Sequence, residues 1–184
     1  MKVFAFSGSL RTGSFNTTLL NLAVPLLREK GVEVDLWDFR AAQVPIYDPD
    51  TSDTNPPASL VDAKARIRAA NGLLVVTPEY NRGLPGALKN LFDFLSRPPK
   101  ESPFGGKVVT NMGATPGGFA TMSARNQFRQ LADALGMITL PGEFAVSQAH
   151  TAFDDHGQLK DEKRRADLSR YLDRYVALLQ QFTK

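Results

Sequence analysis

Apolar positions along the chain alternate between two rhythms. Short apolar runs occur at Val3–Phe6, Val32–Trp37, Gly72–Thr77 and Lys107–Met112, and MITLP with EFAVS supplies a fifth around residues 137–147. GLLVVT, residues 72–77, is apolar with almost no break, as strands buried on both faces are. Between these runs the spacing changes to i, i+3, i+4. Residues 16–30 place Leu19, Leu20, Ala23, Leu26 and Leu27 on one face, and Gly31 follows as a stop. Pro25 lies inside that pattern and predicts a kink. A weaker helix is predicted over residues 58–71 and a stronger one over 84–95, through Leu84, Leu88, Leu91, Phe92 and Leu95. Pro85 suits the first turn of the latter, where an N–H has no helical partner anyway. Residues 123–135 predict a helix ended by Gly136. Residues 160–182 predict a last one, with Leu168, Tyr171, Leu172, Tyr175, Leu179 and Phe182 as its core face.

Strands alternating with helices in this way predict an α/β fold in one domain over residues 1–184. The expected core is a doubly wound, five-stranded parallel sheet in the order 2-1-3-4-5. The segment VPIYDPDTSDTNPP, residues 44–57, reads as a surface excursion. In such a sheet, ligands bind beyond the carboxyl ends of the strands where the order reverses, here between strands one and three. Those two ends carry SGSLRTGSFN and TPEYNRGLPG, the most distinctive loops in the chain.

Composition narrows the classes. Among 184 residues, 42% are hydrophobic and 22% charged, as in ordinary globular domains. No apolar run approaches the roughly 18 residues of a membrane span, and MKVFAFSGS is too short for a secretory leader. The absence of cysteine excludes disulfides, thiolate metal sites and a cysteine nucleophile. A net charge of +3 is mild, and the basic cluster KDEKRR at 160–165 is interleaved with acids, which argues against nucleic-acid binding. His150 and His156 lie in a polar connection without a third ligand and predict no metal site. A cytoplasmic protein is expected, with neither membrane nor nucleic acid as partner.

The first loop has the G-x-x-x-x-G frame of a P-loop from Gly8 to Gly13, but Ser14 and Phe15 stand where Lys and Ser/Thr are needed. Nucleoside-triphosphate hydrolysis therefore fits poorly. The hydroxyls of Ser7, Ser9, Thr12 and Ser14, with Arg11 and Asn16, precede a helix N-terminus and suit one phosphomonoester. The plainer reading is a turn capped by Ser14 or Asn16. A dinucleotide fingerprint fits less well, although Asp35 and Asp38 lie near the place of a ribose-binding acid. In the second loop, Pro78, Glu79, Tyr80 and Asn81 form a wall suited to a flat heterocycle. The plainer alternative there is a connection in which Glu79 caps the next helix. A third loop, MGATPGGFAT at 112–121, leaves strand four on the same rim, where its glycines would let backbone approach a ring.

GSLRTGSFN, VVTPEYNRGLPGALKNLFDFLSR and the Gly-Gly loop after strand four closely resemble the NAD(P)H-dependent FMN reductases, which include quinone, chromate and azo-dye reductases. The resemblance extends to VPIYDPD and PGEF. It implies a flavodoxin-like three-layer sandwich with FMN as cofactor and NADPH or NADH as co-substrate. It implies that Ser9, Arg11, Ser14, Phe15 and Asn16 contact the FMN phosphate and ribityl chain. Pro78, Glu79, Tyr80 and Asn81 would line the isoalloxazine, joined by Thr115, Gly117 and Gly118. Hydride would pass to flavin and then to quinone, azo, chromate or free-flavin acceptors by a ping-pong route, with no catalytic side chain. A homodimer or homotetramer is implied. Two features depart from the family pattern: Arg82–Gly83 directly after P-E-Y-N, and a longer stretch between Gly118 and Arg129. Arg82 reads as a contact to a pyrophosphate or an anionic acceptor, or as a solvated arginine. The alternative from another class is a flavodoxin-like electron carrier; such carriers are usually strongly acidic, unlike this chain.

Overall fold

In the computed structural model, which describes residues 1–183, the strands are β1 (Lys2–Ser7), β2 (Glu33–Leu36), β3 (Gly72–Val76), β4 (Val108–Ala114), β5 (Ile138–Thr139) and β6 (Phe144–Val146). They form one parallel sheet in the order β2-β1-β3-β4-β5, with β6 also paired to β4. The expected order is therefore present, but the fifth strand is two pieces. Ile138 and Thr139 pair with Val108 and Val109, whereas Phe144–Val146 pair with Met112–Ala114. Pro141 and Gly142 cause the break: proline brings no N–H to a ladder, and Gly142 has φ +83°. Arg129 donates to the carbonyls of Leu140 and Gly142, so the gap keeps its acceptors satisfied.

The helices are α1 (Phe15–Glu29), α2 (Pro49–Ser52), α3 (Ala58–Ala69), α4 (Gly86–Leu95), α5 (Met122–Ala134), α6 (Ala149–Ala152) and α7 (Glu162–Phe182). The first helix continues through Pro25 to Glu29. α4 begins after Pro85 rather than at Leu84. Pro85 keeps extended geometry, and the Leu84 N–H donates to Gln127 Oε1 at 2.7 Å instead of joining a helix.

Each strand feeds both faces, because successive side chains point oppositely. Val3, Ala5, Leu74 and Val76 pack with α1 and α7, while Phe4, Phe6, Leu73 and Val75 pack with α3, α4 and α5. That double burial explains the apolar runs of β1 and β3. Tyr171 and Tyr175 lie in the core, as their spacing implies. The Tyr175 hydroxyl donates to Leu73 O at 2.7 Å, and that of Tyr171 pairs with Thr110 at 2.8 Å. α7 docks this closely because residue 72 is glycine: a Cβ there would lie 2.7 Å from the Tyr175 hydroxyl and 2.4 Å from Val108 O. The excursion at 44–57 is tied down by α4, where Asn90 donates to Pro45 O at 2.7 Å and accepts from Tyr47 N at 2.8 Å. Among the described residues, no helix is long and apolar enough to cross a membrane.

Candidate active site

In the parallel register Ser7, Val76 and Met112 lie side by side, so the loops after β1, β3 and β4 leave the sheet together. The ladder runs one step further, with Gly8 N donating to Val76 O and Thr77 N to Met112 O, both at 2.8 Å. Gly8 serves packing rather than phosphate: a Cβ there would sit 2.7 Å from Leu88 Cδ2 of α4. Gly13 serves the turn, with φ +65°.

Ser14 caps α1, its Oγ accepting from Asn16 N at 3.2 Å. Ser9 Oγ accepts from Arg11 N at 3.3 Å. Both residues are buried, and both hydroxyl hydrogens remain free to donate. Among the described residues, the backbone N–H groups of Thr12, Gly13, Ser14, Phe15 and Thr17 find no protein acceptor. Unpaired N–H groups at a helix N-terminus call for water or an anion. This donor set, with the exposed Arg11 beside it, fits a dianionic phosphate.

Two first-loop side chains are committed elsewhere. Asn16 donates from Nδ2 to Ala114 O at 2.9 Å and accepts at Oδ1 from Ala114 N at 2.8 Å, so it ties the first loop to the end of β4. The Phe15 ring lies nearly parallel to Phe153, with centroids 6.2 Å apart. What Phe15 offers a ligand here is its N–H.

The second loop turns back at Tyr80–Gly83, with Gly83 N donating to Tyr80 O at 2.9 Å and Tyr80 N to Gly83 O at 3.2 Å. Asn81 (φ +50°) and Arg82 (φ +62°) both occupy the left-handed region, which a two-residue type I′ turn requires. Three contacts fasten this loop to the segment after β4. Glu79 Oε2 accepts from Ala124 N at 3.0 Å, so the helix it caps is α5 and not the next one, α4. Gln127 of α5 accepts from Leu84, and the Arg82 guanidinium stands 4.0 Å from the centre of the Phe119 ring. In the third loop, Thr115 Oγ1 accepts from Gly117 N at 3.2 Å. Its backbone is braced by Thr115 N donating to Val146 O at 2.9 Å and Gln148 N to Gly117 O at 3.2 Å. A Cβ on Gly118 would meet nothing within 4 Å and neither Gly117 nor Gly118 has a positive φ, so these glycines leave open space.

A family model for NADPH-dependent FMN reductases matches residues 1–151. The chain belongs to that family. Membership makes it an oxidoreductase of flavodoxin-like fold that works with FMN and a reduced nicotinamide nucleotide. It is 40% identical over 166 residues to an NAD(P)H-dependent FMN reductase from Pseudomonas aeruginosa, covering 90% of this chain and 88% of the relative. A 2-hydroxy-1,4-benzoquinone reductase from a Burkholderia species is 33% identical over 178 residues, covering 96% and 95%. Among solved structures, the flavoenzyme NAD(P)H:acceptor oxidoreductase FerB from Paracoccus denitrificans superposes with a TM-score of 0.87 at 29% identity, over 98% of both chains.

This family member has a further feature on the same rim. Beyond β2, Trp37, Asp38, Phe39 and Arg40 face the first loop across a cavity of about 410 Å³. The Arg40 guanidinium donates to the Thr12 hydroxyl. Arg40 belongs to no motif in the sequence, so no local pattern marks it. Of the two candidates there, Asp35 is bound by Arg66 and lies 3.7 Å from Lys2. The Arg66 hydrogen bonds, aided by both positive charges, hold its carboxyl below the usual carboxylate range. Asp38 Oδ1 accepts from Ala41 N at 3.1 Å, closing its own turn.

Proposed function

We propose that the chain uses a bound FMN to carry reducing equivalents from NADPH or NADH to quinones, and to azo, chromate or free-flavin acceptors. The observation that carries this reading is the set of unpaired N–H groups and free hydroxyls at the N-terminus of α1, beside two loops that can flank a flat ring. When bound, FMN would supply the redox chemistry between the nicotinamide and an acceptor that enters after the nicotinamide leaves.

The chain's own part is to hold and orient. Ser9, Arg11 and Ser14, with the N–H of Phe15, grip the phosphate; each charge-assisted hydrogen bond contributes about 1.5–3 kcal/mol. Asn16 acts on the cofactor by fixing the first loop against β4. Pro78, Glu79, Tyr80 and Asn81 line one edge of the isoalloxazine, and Thr115, Gly117 and Gly118 let backbone approach it. Arg82, held over Phe119 at the mouth, meets the pyrophosphate of the nucleotide or an anionic acceptor. Tyr80 and Phe119 are both more than half exposed, which favours an open site tolerant of several acceptors. The enzyme is read as one cytoplasmic domain that assembles into dimers or tetramers. Kinship to two reductases favours turnover over the electron-carrier role.

The test is spectroscopic. Purified protein should bind FMN, and NADPH added without oxygen should bleach the flavin absorbance, which a quinone then restores. Parallel double-reciprocal plots would support the ping-pong order. Protein that neither binds FMN nor is stabilised by it, or that binds it without turnover, would overturn the reading.

A further inference from the structure

Among the described residues, Arg125 is the one buried charged side chain, 4% exposed. It lies in the first turn of α5, and its guanidinium pairs with Glu143 Oε2 at 2.7 Å. Glu143 itself is half-exposed. Burying one ion of such a pair costs desolvation that a well-packed apolar side chain of similar volume would avoid. Stability alone does not call for the charge. Arg125 Nε also donates to Ala120 O at 3.3 Å, the one side-chain hydrogen bond to residues 119–121 among the described residues.

Those three residues make an unfavourable turn in the segment after β4. Ala120 (φ +49°) and Thr121 (φ +57°) are consecutive non-glycine residues in the left-handed region, which L side chains avoid. Thr121 seats the turn on the sheet. Its side chain is buried against β4, where residue 113 is glycine and a Cβ would overlap Thr121 Oγ1. That hydroxyl has no hydrogen-bond partner, so packing alone holds it. Arg125 supplies the polar tie, reaching from the Ala120 carbonyl to Glu143 beside the break in the fifth strand. At the outer end of the turn, the Phe119 ring carries the Arg82 guanidinium at 4.0 Å. The Phe119–Arg82 contact therefore bridges the second and third loops, and its place follows that of Ala120.

We propose that Arg125 is a positioning residue for acceptor selection. Anchored on Glu143, it holds the Ala120 carbonyl and with it the Phe119–Arg82 bridge, which limits the width of the flat acceptors that enter between the two loops. The proposal rests on the reductase reading for what enters; the anchoring of the turn does not.

The test uses the full FMN-loaded chain with Arg125→Met, Glu143→Gln and Glu143→Ala. Methionine keeps much of the volume without the charge, and Glu143→Gln keeps an oxygen for the guanidinium where Glu143→Ala does not. Amide hydrogen exchange over residues 119–122 should quicken about tenfold in Arg125→Met and Glu143→Ala, and less in Glu143→Gln, while β1 and β3 keep parent rates. The ratio of kcat/KM for 1,4-benzoquinone to that for menadione, one ring larger, should fall about threefold or more in the same order, through KM for menadione rather than kcat. Unchanged exchange over 119–122 in both Arg125→Met and Glu143→Ala would overturn the proposal. So would faster exchange there with the quinone ratio unmoved. A uniform rise in exchange across the sheet, with equal losses for both quinones, would also overturn it and mark Arg125 as structural only. Should Arg125→Met fail to fold, the two Glu143 variants read the same tie from its half-exposed end. A parent that reduces neither quinone, while exchange over 119–122 still answers to Arg125, would sink the reductase reading and leave the anchoring of the turn standing.

Discussion

Arg11 carries the only formal charge in the first loop, and every other donor there is neutral. Replacing it with alanine removes one charge-assisted contact from the proposed phosphate site. The dissociation constant for FMN, read by quenching of flavin fluorescence, should rise about 10- to 100-fold. Because Arg11 is exposed, the melting temperature of the cofactor-free protein should barely move. Unchanged FMN affinity would remove the loop from the phosphate site. Asn16 should behave oppositely. It is 3% exposed and bonded to both backbone groups of Ala114, so Asn16→Ala leaves a buried N–H and carbonyl partly unpaired. Denaturant unfolding should show a loss of about 2 kcal/mol, with weaker FMN binding alongside. The spelling of the loop announces both residues as ligands. Only the fold separates the hand from the wrist, because Ala114 is 98 positions away and no local pattern names it. Asp35 adds a pH signature. Its carboxyl, paired with Arg66, titrates below its ordinary value of 3.8. The stability it contributes is complete above that value and is lost as pH falls through the lower folded one. Asp35→Asn should flatten this part of the acid-unfolding curve without altering stability's dependence on pH near neutrality.

Elements were legible where they were long and periodic. The strand order follows from strand–helix alternation together with right-handed crossovers and the common order for five strands. Each of the five main helices overlaps its apolar stripe, although Leu84 lies before α4 and Phe182, expected on the core face of α7, is 54% exposed. The one-turn helices α2 and α6 are too short to show a period, and the break between β5 and β6 was hidden by apolar residues on both sides of Pro141–Gly142. Capping by a distant residue was equally out of reach. Thr121, at the N-cap of α5, makes no side-chain cap bond, and Glu79 supplies the missing acceptor from 45 positions away. This gives Glu79 a test that separates holding from chemistry. Glu79→Gln keeps an oxygen for Ala124 N and should retain most stability and FMN affinity. Glu79→Ala leaves the helix end uncapped and should cost about 0.5–2 kcal/mol in thermal or denaturant unfolding. If both variants lose FMN equally without loss of stability, the carboxylate itself contacts the cofactor.

At the scale of the whole molecule, the carboxyl rim is unusually apolar for a surface meant only for water. Leu10, Ile46, Tyr80, Phe119 and Met122 are each at least 44% exposed, and they come from the first loop, the excursion and the segments after β3 and β4. Ile46, at 81%, is the extreme case. It is also held rigid, since Asn90 grips Pro45 on one side of it and Tyr47 on the other. A large apolar side chain fixed in solvent loses little entropy when a partner covers it, and burying it contributes about 1.5–3 kcal/mol. A second copy of the chain is the occupant that the proposed assembly would supply. Light scattering should therefore give two or four times the 20.2 kDa chain mass. Ile46→Asp should shift the mass toward one chain, because the carboxylate would have to be desolvated in the interface. Asn90→Ala should weaken association less, by freeing the excursion while leaving Ile46 in place. A parent that runs as one chain at micromolar concentration would contradict the assembly. A parent oligomer indifferent to Ile46→Asp would move the interface away from this rim, and with it any contribution of a neighbouring chain to the flavin site.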